Sequence, residues 1–228
     1  MKGHIYFLHH SGFLYETETS IFIFDDYKDP RKWVDDRLKK TDKKVYFFVS
    51  HWHGDHFNPE IGSYESRASA YFLHKDCHLT LQDEKKKYLM QVGDTVTVDD
   101  FTVHMYGSTD IGGSFMIHGD GFTLFHAGDL NWWHWAGESH RENKAARDAF
   151  FHELKQIKEK DVDIAFFPVD ARQAVAREWG VKQFLNVVHP QLLVPMHAFG
   201  PIWVPSYEFR WLYDTQKLWI PKHDGDSK

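Results

Sequence analysis

The stretch Ser50-His51-Trp52-His53-Gly54-Asp55-His56-Phe57 carries three histidines and a carboxylate within six residues. It follows Lys44-Val45-Tyr46-Phe47-Phe48-Val49, a β-branched and aromatic run that reads as a buried strand. In extended chain, side chains two apart point the same way, so His51 and His53 project together and can hold one metal ion. Gly54 permits a sharp bend, after which Asp55 and His56 emerge in a new direction, suited to a second ion or to holding a water on the first. Packed without a metal, these groups would repel or protonate one another. A solvated, histidine-rich loop is the alternative; a metal site is the better reading.

A divalent ion at such a site makes hydroxide available at neutral pH and polarises a carbonyl or phosphoryl oxygen. The chain has no Gly-x-Ser-x-Gly nucleophile motif, so metal-activated water is the economical mechanism, with Asp55 orienting the water or moving its proton. All-N/O ligands make zinc the default, one or two ions, with manganese, iron or nickel as other choices.

Elements must place these side chains. Strands are expected over 5–8, 13–16, 20–24, 45–49 and 70–73, and a helix over 31–40 opened by Pro30. Asn58-Pro59 starts a short helix or turn, and 83–87 reads as a charged helix face or loop. Residues 95–98 and 101–106 spell a hairpin across Asp99-Asp100, and strands 114–117 and 122–125 meet at Gly119-Asp120-Gly121. Apolar spacings of three and four predict a helix over 142–160. Then come a strand at 164–167, helix over 171–188 with a break near Gly180, a strand at 192–194 and a helix over 207–217. Strands dominate early and alternate with helices late. No linker or repeat divides the 228 residues, so one α/β domain spanning 1–228 is expected.

Composition bounds the rest. Hydrophobic residues at 42% suffice for a core. No apolar run approaches the ~20 residues of a membrane helix, and the first residues lack a signal-peptide pattern. The single Cys77 excludes an internal disulfide or a thiolate cluster, and a cytoplasmic address is the default. A net charge of −6 disfavours nucleic acid and leaves a small molecule as the expected partner; nothing in the sequence bears on oligomeric state.

Asp129 follows the strand 122–125 through His126-Ala127-Gly128, and His197 follows 192–194 through Pro195-Met196, both at C-terminal strand ends. Taken together, His51-x-His53-x-Asp55-His56, Gly128-Asp129 and Pro195-Met196-His197 resemble the metallo-β-lactamase-fold superfamily in order and strand context. His10-Ser11-Gly12-Phe13 and His126-Ala127-Gly128-Asp129 further resemble its ascorbate-6-phosphate-lactonase-like branch, over about residues 4 to 200. The resemblance implies a four-layer αβ/βα sandwich with metals at one edge. It implies His51, His53 and a bridging Asp129 at one metal position, and Asp55, His56, Asp129 and His197 at the second.

One departure stands out. The family's Gly-His-Thr type turn reads Gly107-Ser108-Thr109-Asp110 here, so Ser108 occupies the place of an imidazole. A serine hydroxyl is a much weaker ligand. His104 lies too far upstream to substitute, and Asp110 is the closer candidate. Each remaining residue also has a structural reading. Asp129 could cap a helix, and His197 could be a packed core histidine. His10, His126 and His134 divide between supporting hydrogen bonds and structure. Trp132, Trp133 and Trp135 cannot share one helix face, so at least one is expected to line the pocket, with Trp132 and Trp133 as candidates for substrate contact. Asp170 and Arg172 sit where a loop could overhang the site, and Arg172 could grip an anionic group. The expected function is hydrolysis of a small ester, lactone, amide or phosphoester. A metal-binding or sensing protein that lost turnover with Ser108 is the rival, and a nuclease the third choice.

Overall fold

Every residue from Val45 to Val49 is buried, so this strand must be covered on both faces. The computed structural model describes residues 3–119 and 121–228 and shows what covers it. One sheet runs in sequence order through β1 (His4–His9), β2 (Gly12–Glu16), β3 (Ser20–Phe24), β4 (Lys44–Val49), β5 (Ala70–His74) and β6 (Lys87–Met90). The other comprises β7 (Thr95–Val98), β8 (Phe101–Tyr106), β9 (Ser114–Gly119), β10 (Phe122–His126), β11 (Asp161–Pro168) and β12 (His189–Met196), also in sequence order across the sheet. Both are mixed: β3 to β6 are parallel and β1 to β3 antiparallel, while β10 to β12 are parallel and β7 to β10 antiparallel.

The period-two alternation of strands assigns the layers. Tyr46 and Phe48 of β4 point inward, their rings meeting Phe101 at 4.6 Å and Phe115 at 5.4 Å. Phe47, between them, points outward onto Tyr64 and Tyr71, where Val34 and Leu38 of α1 (Trp33–Lys40) close the layer. In the second sheet Phe166 meets Phe13 across the interior at 4.4 Å, while its neighbour Phe167 stacks outward on Phe184. Phe184 belongs to α3 (Trp179–Leu185), and α2 (His140–Gln156) adds Phe150 and Leu154 to the same core. The result is the expected four-layer sandwich. A last short helix, α4, spans Tyr207–Leu212.

Several boundaries differ from expectation, each for a local reason. Helix α1 starts three residues beyond Pro30, because Lys32 takes a left-handed conformation and Asp29 Oδ2 accepts from the Val34 N–H. The charged stretch 83–87 is a 3-10 turn, Glu84–Lys86, that feeds the edge strand β6. Helix α2 begins earlier, at a capping box formed by Ser139 and Glu142, and stops at Gln156, because Ile157 turns extended. In 171–188 the break falls at Ala174, which has φ of 51°, and not at Gly180, which lies inside α3. The helix expected over 207–217 divides into α4 and a 3-10 turn, Thr215–Lys217. Of Gly119-Asp120-Gly121, Asp120 lies outside the described residues. No helix among the described residues is long and apolar enough to cross a membrane.

The chain closes on itself. Residues 225–228 lie along the free edge of β1, exchanging backbone hydrogen bonds between Ile5 and Lys228, from Phe7 to Asp226 and from Gly225 to Phe7. This covers an edge that would otherwise pair with another chain. At about 1 kcal/mol per hydrogen bond, deleting 222–228 should cost roughly 2–5 kcal/mol. A thermal melt should show the lowered midpoint and increased aggregation, and an unchanged melt would contradict this assignment.

Candidate metal centre

Parallel runs in both sheets bring their C-terminal strand ends to one edge. Past β4, residues 50–56 carry His51, His53, Asp55 and His56, and past β10 comes Asp129. Past β12 comes His197, and past β1 comes His10. Two groups result in which the potential ligand atoms all lie within 4.8 Å of one another: His51, His53 and Asp129, and His10, Asp55, His56 and His197. Asp129 faces both. Its Oδ2 lies 3.5 Å from His51 Nε2, while its Oδ1 lies 3.1 Å from His56 Nε2 and 3.4 Å from His197 Nε2.

Backbone geometry makes this closeness possible. Gly128 has φ of 52°, and a Cβ there would come within 2.9 Å of the Ser50 side chain. Gly112, with φ of 88°, sits so close to the Ser50 carbonyl that any side chain would overlap it. His10 and His197 also hold left-handed conformations, with φ of 56° and 55°, and the His197 N–H donates to the His10 carbonyl. Non-glycine residues in this region are strained and persist where their surroundings fix them.

The residues behind the ligands were mostly missed by sequence reasoning. Asp25, just past β3, accepts from the Ser50 N–H and hydroxyl and lies 2.7 Å from His56 Nδ1. Ser50 Oγ in turn lies 3.0 Å from His51 Nδ1, and Asp170 Oδ2 lies 3.0 Å from His197 Nδ1. Three imidazoles are therefore held by Nδ1, which turns Nε2 of each towards the ligand groups, where His51 Nε2 lies 3.1 Å from His53 Nδ1. Asp25 carried the signal used for Asp129, an acidic residue at a C-terminal strand end. Asp170, expected in a loop overhanging the site, is fully buried just past β11 and bonded to His197.

Three buried polar atoms lack a hydrogen-bond partner here: His10 Nε2, His56 Nε2 and Asp129 Oδ1. The last two face each other at 3.1 Å, beside the ligand group that holds His10, Asp55, His56 and His197. That is the arrangement of ligands around a cation, and the donor set fits one. Protonation agrees. Burial opposes charge on His56, but the Asp129 and Asp25 carboxylates outweigh it and push its pKa up to about 10. Burial would raise Asp129, but His56, then His197 and His51, hold it well below the usual carboxylate range. Burial and the neighbouring His56 lower His51 to about 4, and burial with His197 and His56 lowers His10 to about 2.

The other candidates separate. His53, Asp55, Asp110, Asp129, Trp133, Arg172 and His197 line a cavity of about 430 Å³. Asp110 reaches within 3.9 Å of His53 Nδ1, whereas the Ser108 hydroxyl turns to the Asp110 N–H and joins neither ligand group. Trp133 donates to the Asp129 carbonyl and stacks on Trp135. Trp132 faces away from this cavity; its ring packs on Trp179 and Phe151, since consecutive residues cannot share a side. Arg172 grips Asp170 with Nε and Nη2, with its guanidinium 4.0 Å over Phe199, so part of its bonding capacity already supports His197. His126 is structural: its Nε2 meets the Ser11 carbonyl and its Nδ1 the Gly128 N–H. His134 packs on Trp179. Thr109, not foreseen, donates to the carbonyls of Asp129 and Asn131 and fixes that loop.

No protein-family model matches the sequence. Solved structures do match. Igni18, a metallo hydrolase from Ignicoccus hospitalis, superposes with a TM-score of 0.64 at 15% identity, covering 99% of this chain and 97% of its own. The metallo-β-lactamase fold protein YhfI from Bacillus subtilis gives 0.60 at 12% identity, over 99% and 98%. An isothiocyanate hydrolase from Delia radicum gut bacteria gives 0.54 at 14% identity, again over 99% and 98%. The fold is that of the metallo-β-lactamases.

Three outcomes follow from the geometry. Because an ion must displace the His56 proton, metal affinity measured by chelator competition should rise about tenfold per pH unit between about pH 6 and 8; a flat profile would contradict the protonated His56. Asp25→Asn, which removes the carboxylate behind His56, should weaken metal binding by about 10- to 100-fold. The two ligand groups should also differ. Titration should show unequal affinities, with Ser108→His strengthening the weaker site and Asp110→Ala weakening it further. Two equally tight ions indifferent to Asp110→Ala would remove that account.

Proposed function

We propose that this protein is a metal-dependent hydrolase acting through metal-activated water on a small ester, lactone, amide or phosphoester. The observation that carries the reading is Asp129, whose two carboxylate oxygens face two separate ligand groups at the wall of one cavity. His51, His53 and Asp129 would hold one ion, and Asp55, His56, His197 and the shared Asp129 the other, with His10 available beside them. A bound divalent ion lowers the pKa of its water from about 15.7 to about 7 and polarises the oxygen under attack. Zinc suits the all-N/O donor set, iron or nickel are further choices for it, and manganese would suit it where carboxylate replaces the missing imidazole.

The chain's own groups do the rest. Asp55, whose side chain is 35% exposed, faces the cavity and is placed to orient the attacking water and take its proton. Trp133 and Trp135 form one wall of the cavity, and Arg172 stands at its mouth. Asp55, Asp110, Asp129 and Glu138 give the cavity an acidic lining that repels a polyanion, which favours a small molecule over nucleic acid. The His10-Ser11-Gly12-Phe13 motif supports a place near the lactonase-like branch, and the absence of thiolate or disulfide chemistry suits a cytoplasmic enzyme. Ser108 motivates the second reading, a metal-binding or sensing protein of reduced turnover.

Zinc- or manganese-loaded protein should hydrolyse some member of a panel of esters, lactones, amides and phosphoesters, and a chelator should abolish the activity. Asp55→Asn should lower kcat by about 10²- to 10⁴-fold. Full metal occupancy with no turnover anywhere in the panel would favour the sensing protein.

A further inference from the structure

Across Phe199 from the acidic cavity lies a second chamber of about 330 Å³ whose walls are of opposite character. Phe7, Tyr27, Met196, Ile202, Trp203 and Ile220 give it an apolar lining. The two spaces adjoin. Phe199 lines both, and the ring of His10 forms part of the chamber wall while its Nε2 sits among the ligand atoms, 3.6 Å from Asp55 Oδ2. Between them the loop is built tightly: His10 packs 4.3 Å from Phe199 and 4.2 Å from His197, with Phe199 in a left-handed conformation.

The chamber is not a packing defect sealed in the core. Phe199 and Ile202 at its lip are 40% and 43% exposed, so apolar surface is held open to water. Such surface gains by being covered, and the volume lies within the range of small-molecule sites. At the outer lip the lining turns polar, where His9 Nδ1 lies 2.9 Å from Asp224 Oδ1 and Lys222 is exposed. Because the half-exposed Phe199 borders both spaces, a ligand with one polar, electrophilic end and one apolar arm would lie across its outer face with an end in each.

We propose that this chamber binds the apolar acyl or alkyl arm of the substrate, while the acidic cavity takes the group to be hydrolysed. This names a substrate class, a carboxylic ester, lactone or related acyl compound with an apolar arm, and it rests on the hydrolase reading above. Arms should gain affinity until they pass the His9–Asp224 lip and then gain no more.

The test uses straight-chain carboxylates as product-like probes. Binding of acetate, butanoate, hexanoate and octanoate to zinc-loaded protein is measured by calorimetry, beside hydrolysis of the matching p-nitrophenyl esters. Affinity should climb about three- to fourfold per buried methylene before levelling. Ile202→Asp should cut octanoate affinity at least tenfold relative to acetate. Ala198→Leu, which narrows the chamber without adding charge, should do the same should the aspartate variant fail to fold. Octanoate binding no tighter than acetate, or a chain-length gain that survives both substitutions, overturns the proposal. Turnover of short esters without any chain-length effect overturns the chamber and leaves the hydrolase reading standing. Chain-length-dependent binding with no ester turned over supports the chamber and counts against ester hydrolysis.

Discussion

The edge of the sandwich is organised by one buried run of contacts, Asp25–His56–Asp129. Asp25 comes from the end of β3, His56 from beyond β4, and Asp129 from β10 in the opposite sheet, at 2.7 and 3.1 Å along the run. All three are buried, and buried charge is costly unless it is paired. An imidazolium between two carboxylates can balance part of this charge, and a cation can balance more. Closure of the two sheets at this edge is therefore coupled to what occupies the site. The seam from His197 N–H to the His10 carbonyl ties the same two sheets a second time, through two residues in strained conformations.

This coupling also decides what could be read from sequence. His51, His53, Asp55 and His56 are neighbours in the chain, so their convergence needs only strand periodicity and one glycine. Asp129 and His197 were legible because each follows a short apolar run at its C-terminal end. The Asp25 bond to His56 and the Asp170 bond to His197 span 31 and 27 residues, and no local pattern encodes such pairings. Most strands were legible for the same local reason, since alternation forces one face inward. Edge strand β6 was hidden because Lys87-Tyr88-Leu89 is only partly covered, so charge masked its period. The start of α1 escaped because Asp29, rather than Pro30, provides its first hydrogen bond. Trp132 and Trp133 show the limit most simply: adjacency told that they would diverge, but not which would face the cavity.

Fold likeness at 12–15% identity carries no substrate with it. Selectivity must come from walls particular to this chain. The metal-facing cavity is acidic and bounded by Trp133 and Trp135, and the chamber beyond His10 and Phe199 is apolar. Uniform apolar contacts would tighten binding without speeding the reaction, so an arm site contributes to catalysis only by fixing the reacting group against its water. The shared His10 is well placed for that, because the wall that meets the arm is also a wall of the metal centre.

Ser108 bears on the metal more than on the scaffold. The turn that carries it is still pinned at both ends to ligand-bearing loops, by the Gly113 N–H on the Ser50 carbonyl and by Thr109 on the Asp129 carbonyl. With serine at this position, the Asp110 carboxylate lies 3.9 Å from His53 Nδ1 at the cavity wall. An oxygen donor from Asp110 would make the first group harder and more negative, while the second offers three imidazoles and Asp55. Two unlike ligand groups that share Asp129 would hold ions with unequal affinity, the group richer in imidazole suiting zinc and the one richer in carboxylate suiting manganese.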